Sequence, residues 1–148
     1  MKVYNSYSKI LSSIRKERKM IVMVIVTEEI KNVFNTLISE AQKQVKENTD
    51  VEMVIVVQSA KGNMYTGFLH EAKNGEADID SLMQILVDAE DVEIKYCVCM
   101  LYSEWLEPPY YYLRKRLLGI SPENEGTIFS GQGENGIVLK TLKDMMPL

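Results

Sequence analysis

From Thr27 to Val45, Ile30, Val33, Phe34, Leu37, Ile38, Ala41 and Val45 recur at three- and four-residue spacing. That spacing puts them on one helical face, and the acidic pair Glu28 and Glu29 falls in the first turn, where a helix favours negative charge. An amphipathic helix is predicted here. The run "VEMVIVVQ", Val51 to Gln58, is β-branched and almost continuously apolar, as in a strand covered on both faces. "SAKGN" supplies turn chemistry, and "MYTGF" reads as the returning strand of a hairpin. After the polar loop "LHEAKNGEAD", Asp78 or Asp80 can cap a helix carrying Leu82, Met83, Ile85, Leu86 and Ala89. A third strand is expected over Val92 to Tyr102, inside which lies "IKYCVCMLY".

Next comes "EPPYYYLRKRLL", with proline at a helix start, where its missing N–H costs nothing, and Tyr112, Leu113, Leu117 and Leu118 available for a buried face. "GISPENEG" breaks that helix. "TIF", a glycine-rich turn "SGQGENG" and "IVL" make a last strand pair, and "TLKDMMP" a terminal helical turn. Strands alternating with helices after a hairpin imply an α/β fold, a three-layer α/β/α arrangement around a mixed sheet. Ahead of all this, Asn5 or Ser6 can cap a short helix with Ile10, Leu11 and Ile14 on one face and Arg15, Lys16, Arg18 and Lys19 near its end.

Composition narrows the function classes. A chain of 148 residues, 46% hydrophobic, is sized for one domain with a real core. The net charge of −4 and pI near 5.1 argue against a surface built to neutralise phosphate backbone, so nucleic acid is a disfavoured partner. The longest apolar run, "MIVMVIV" from Met20 to Val26, is too short for a membrane span and lacks the features of a secretory signal, so a cytoplasmic, membrane-free protein is expected. Cys97 and Cys99, two apart on a strand, face the same way and read as small core hydrophobes rather than a disulfide framework. His70 and Glu71 do not belong to an H-E-x-x-H motif, and "SGQGENG" lacks the ending of a phosphate loop.

The local wording resembles the cytidine deaminases. In that family a helix of the type "LIEAAxxAR" leads to a hairpin ending in "GxxYTGxNxEN"; here "LISEAQKQVKEN" leads to "VEMVIVVQSAKGNMYTGFLHEA". The family closes with a strand, a glycine-bearing turn and a "TLKELLP"-like helix, and this chain closes with "IVLKTLKDMMPL". The likeness spans Asn32 to Leu148 and leaves residues 1–31 as an extension. It implies a cytidine-deaminase-like fold, and it implies zinc held by Cys-x-x-Cys after a proline at one helix start and by a Cys or His at another. At the first of these places stand Pro108, Pro109, Tyr110, Tyr111 and Tyr112. Counting without gaps from Tyr65, Thr66 and Gly67 puts Asp80 at the third ligand position and Leu82 at that of the catalytic glutamate.

Hydrolytic deamination needs a metal-activated hydroxide, held by about three protein ligands, and a carboxyl group beside the ring to move protons. A phenol, with an ordinary pKa near 10, is a poor zinc ligand at neutral pH. The resemblance therefore implies a degenerate member without metal cofactor that does not deaminate. It would survive as a self-associating binding or regulatory protein, with a nucleoside-sized pocket for a nucleoside or nucleotide near Glu71, Asp80, Tyr110 and Tyr112. Glu71 aligns with the family's ribose-contacting glutamate, while Leu69 and Ala72 replace its two asparagines. Two alternatives remain: a divergent nucleoside deaminase whose ligands lie elsewhere, His70, Cys97 and Cys99 matching the set by type, and a nucleic-acid or protein-partner module. In the latter Tyr110 to Tyr112 would stack bases beside Arg114, Lys115 and Arg116.

Overall fold

The computed structural model describes residues 26–71, 75–134 and 136–146. The amino-terminal helix expected around Ile10 and all of "MIVMVIV" before Val26 lie outside them. Helix α1, Glu28–Glu47, starts where Thr27 accepts a hydrogen bond from the Ile30 N–H at 3.2 Å, with Glu28 and Glu29 in its first turn. Strands β1, Met53–Ser59, and β2, Met64–Leu69, form the hairpin, with Gly62 at the turn in a left-handed conformation, φ +89°. Helix α2 is Gly75–Asp88, β3 is Ile94–Leu101, and α3 is Tyr111–Ile120. A 3₁₀ turn, Pro122–Gly126, leads to β4, Ile128–Gly133, then β5, Gly136–Thr141, and the short α4, Leu142–Met145.

The strands make one mixed sheet in the order β2-β1-β3-β4-β5, parallel between β3 and β4 and antiparallel elsewhere. Alternation along the strands sorts the core into two layers. Met53, Ile55, Val57, Cys97, Cys99 and Phe129 face α2 and α3. Val54, Val56, Val98, Met100 and Leu139 face Phe34, Leu37, Ala41 and Val45 of α1. The three-layer α/β/α expectation holds, and both cysteines are buried on one side of the sheet. Among the described residues no helix is long and apolar enough to cross a membrane.

Three local expectations need correction. Helix α2 begins at Gly75, so Asp78 and Asp80 lie inside it and cap nothing. Its first residue packs so closely on β2 that a Cβ on Gly75 would meet Leu69 Cδ2 at 2.8 Å, and the Asp78 carboxylate instead accepts the His70 N–H at 2.9 Å. Pro108 and Pro109 precede α3 rather than open it, and Tyr110 occupies the N-cap without a side-chain cap bond. Residues 105–107 lie along β3, Glu107 donating to the Cys99 carbonyl at 2.9 Å, and the two prolines end that strip because they have no N–H to continue it. The glycine-rich "SGQGENG" is mostly strand, with Ser130 to Gly133 paired to β5.

Two buried polar clusters fix how these pieces meet. Asn124, fully buried, donates to the Val92 and Leu117 carbonyls at 2.8 and 2.9 Å and accepts the Ile94 N–H at 2.7 Å. It ties the end of α3 to the start of β3, and Thr127 adds a 2.6 Å bond to the Ile94 carbonyl beside β4. At the turn of the hairpin, on the same end of the sheet, the Asp91 carboxylate, 3% exposed, accepts from Ser59 at 2.8 Å, Asn63 at 2.9 Å and Tyr65 at 2.7 Å. Burial pushes the Asp91 pKa up, but the bonds from Asn63, Tyr65 and Ser59 and the charge of Lys61 outweigh it, and the net shift is downward.

A depressed folded-state pKa contributes stability that is complete above the unfolded value, near 3.8, and lost as pH falls below it toward the folded value. On acidification through that window the wild-type melting temperature should fall more steeply than that of Asp91→Asn. At neutral pH, Asp91→Ala should cost about 2 kcal/mol in urea denaturation, because three donors lose their acceptor. A variant as stable as wild type and with the same pH profile would show that the cluster does not hold the hairpin.

Candidate functional site

Helices α2 and α3 pack side by side on the sheet, and their first two turns meet through Asp80, Tyr112 and Arg116. Tyr112 and Arg116 are four apart on α3 and so share a face. The Tyr112 hydroxyl donates to Asp80 Oδ1 at 2.7 Å, and Arg116 Nε donates to the same oxygen at 2.9 Å. The Tyr112 bond is the main cause of a lowered Asp80 pKa, partial burial opposes it, and the Arg116 bond and charge add to it. The Tyr112 pKa moves the other way, raised first by its bond to Asp80 and then by burial. The phenol is thus a committed proton donor and the carboxylate a committed acceptor.

The residues around this clasp are apolar. Leu82 is 1% exposed and packs against the β2 backbone so tightly that a Cβ on Gly67 would lie 2.9 Å from its Cδ2. Leu113, next to Tyr112, is fully buried. Tyr110 is partly buried against the same core layer; burial raises its pKa, followed by the charges of Glu107 and Glu52. Glu71 is exposed just before residues 72–74.

Zinc, which the sequence resemblance implies for this position, does not fit the donors present. Asp80 would supply one carboxylate, short of the about three protein ligands a catalytic zinc takes, and Leu82, at the counted glutamate position, is buried in the core. Cys97 and Cys99 are buried within β3, and burial, ahead of the contact with Cys99, holds the Cys97 thiol well above its ordinary value and therefore protonated. His70 is exposed at the end of β2, with Nδ1 3.4 Å from Asp78 and Nε2 4.0 Å from Asp50. Among the described residues no three His, Cys, Asp or Glu side chains are grouped to hold a metal ion.

Of the residues singled out by sequence, the structure joins Asp80 to Tyr112 directly and sets Tyr110 apart from them. Tyr110 lines a cleft of about 740 Å³ on the opposite side of the α3 start, bounded by β4, β5 and α4. Glu71, Asp80 and Tyr112 are not among its lining residues. Arg116 was missed as a partner of Asp80, although its four-residue spacing from Tyr112 was a usable signal. Within the tyrosine–arginine run Arg116 is paired with Asp80, while Arg114 lies over the Tyr111 ring at 5.6 Å, donates to the Met145 carbonyl and lines the cleft.

No protein-family model matches the sequence, and no curated protein is detectably similar to it. In structure the chain is similar to cytidine deaminases. The Mycobacterium leprae enzyme superposes with a TM-score of 0.59 at 14% identity, over 78% of this chain and 98% of that one. The Bacillus anthracis enzyme gives 0.60 at 13% identity, over 78% and 87%. The Burkholderia pseudomallei enzyme gives 0.56 at 13% identity, over 76% and 95%. At these identities the likeness establishes a shared fold.

The clasp has a direct spectroscopic test. Tyr112→Phe should raise the Asp80 pKa toward its ordinary value, read by carbon-detected NMR titration of the side-chain carboxyl, and Arg116→Gln should raise it by less. An Asp80 titration unchanged in both variants would show that neither bond forms in solution.

Proposed function

We propose that this cytidine-deaminase-like domain does not deaminate and acts as a self-associating binding or regulatory protein. The observation that carries the reading is the Asp80 carboxylate, which stands at the counted metal-ligand position and is held by Tyr112 and Arg116. A single carboxylate supplies only one of the about three protein ligands that a catalytic zinc takes, and an apolar leucine at the counted glutamate position cannot shuttle protons. In this reading the helix starts keep their place in the fold while the clasp takes over the work of joining them.

Self-association draws support from Tyr102 and Trp105 between β3 and α3 and Tyr111 at the start of α3, which are 69%, 51% and 51% exposed. Aromatic residues are enriched at protein contacts relative to the rest of the surface. A nucleoside remains the proposed ligand class near Glu71, Asp80 and Tyr112, with Tyr110 removed from that group because it lines the separate cleft.

Incubation of the purified protein at high concentration with cytidine and deoxycytidine should release no ammonia beyond a buffer blank. Turnover that disappears in Asp80→Ala would overturn the reading in favour of a divergent enzyme. Light scattering should give a mass of at least two chains, falling toward one chain in Trp105→Ser; a wild-type monomer would remove self-association from the proposal.

A further inference from the structure

The cleft beside α3 arises from a split in the sheet. The β3–β4 ladder consists of two residue pairs, Tyr96 with Ile128 and Cys97 with Phe129. Beyond them the free edge of β3 is taken by residues 105–107, with the Leu101 N–H donating to the Trp105 carbonyl at 2.9 Å and the Glu107 N–H to the Cys99 carbonyl at 2.9 Å. Pro108 and Pro109 then pass the neighbouring edge of β4 without a single N–H to offer. The two parallel strands part at their carboxyl ends, the kind of crevice in which open α/β sheets bind ligands.

Backbone alternation shows what faces this crevice. The Leu142 N–H donates to the Thr127 carbonyl at 2.8 Å, so odd-numbered residues of β4 turn their polar groups toward β5 and even-numbered ones toward β3. Gln132, which lines the cleft, thus presents a backbone N–H and C=O to the space where β3 would have continued. Gly131 contributes no side chain, and a Cβ built on it meets nothing within 4 Å. Tyr110 and Tyr111 form an aromatic wall.

Arg114 and Lys140 line the cleft together with Glu107 and Asp144. Arg114 donates to the Met145 carbonyl and lies 5.6 Å over the Tyr111 ring, and its buried Nε has no hydrogen-bond partner. Asp144, also on the wall, is engaged with the Thr141 N–H and hydroxyl in the capping box of α4. Glu107 lines the cleft from the β3 side, where its N–H is bonded to the Cys99 carbonyl. The hydroxyl of Ser130, 2% exposed, is likewise without a partner at this edge of β4.

We propose that the cleft binds a small planar ring bearing a phosphate or carboxylate, with the anion on Arg114 and Lys140, the ring against the tyrosine wall, and its polar edge on the Gln132 backbone. The site is separate from the Asp80 clasp and does not depend on the reading of that clasp. Its volume falls in the range of ordinary small-molecule pockets, roughly 300–1,000 Å³.

Phenyl phosphate and benzoate serve as probes, with inorganic phosphate and benzyl alcohol as the anion alone and the ring alone. Calorimetry and amide NMR on the full chain should show saturable binding of at least one charged ring, tighter than either half-probe, weakened by salt, and shifting the Gln132 amide; the tighter charged probe identifies phosphate or carboxylate. Gly131→Val, a β-branched residue placed in open space within a strand, should weaken it at least tenfold with the melting temperature retained. Should that variant not fold, Lys140→Ala, at an exposed position, should still weaken the anion by about fivefold or less. Equal affinity for inorganic phosphate, an unmoved Gln132 amide, indifference to a folded Gly131→Val, or no binding of either charged probe would overturn the proposal. So would a wild-type dimer that Gly131→Val converts to monomer, since the cleft would then be a contact between two copies of the chain.

Discussion

The Asp80 carboxylate, about half exposed, stands in the second turn of α2 where α2 and α3 run side by side, and its charge is answered from α3. Tyr112 and Arg116 answer it from successive turns of α3, through bonds of 2.7 and 2.9 Å to one oxygen. That pairing sets the chemistry of the whole region. It holds the carboxylate ionised, keeps the phenol protonated, and leaves the buried positions around it to leucine. In the proposed reading, this hydrogen-bonded ion pair joins the two helices where the resemblance implies a metal site.

The same segment divides the molecule's polar chemistry into two places. On one side of the α3 start the clasp consumes its own donors and acceptors. On the other, the parting of β3 from β4 leaves backbone groups, an incompletely paired arginine and an aromatic wall around open space. Both follow from the run Glu107 to Arg116. Its prolines end pairing along β3, its first two tyrosines turn to the cleft, and its third reaches back to α2. The framework holding them is set elsewhere, by Asn124 and Thr127 at the start of β3 and by Asp91 beneath the hairpin.

Much of this was legible in the sequence where a local pattern decides the outcome. Continuous β-branched residues marked β1, helical spacing marked α1, and Cys97 and Cys99 landed together in the core as strand alternation requires. Local chemistry misled where packing overrode it. Asp78 and Asp80 both look like helix caps, yet the start of α2 is fixed by the approach of Gly75 to Leu69. "SGQGENG" has the composition of a turn, yet its glycines lie in a strand paired with β5. The clusters around Asp91 and Asn124 gave no local sign at all, since the Asp91 donors lie 26 to 32 residues from it. The position count that singled out Asp80 did find a residue at the convergence, but not its partner Arg116 or the cleft behind Tyr110.

The proposal that Asp80 holds Tyr112 and Arg116 rather than a metal is tested most directly by anomalous diffraction at the zinc edge from crystals grown with excess zinc. The map should carry no peak at Asp80, and the refined carboxylate should remain bonded to Tyr112 and Arg116. A zinc peak within coordinating distance of Asp80, with either side chain turned away, would contradict it.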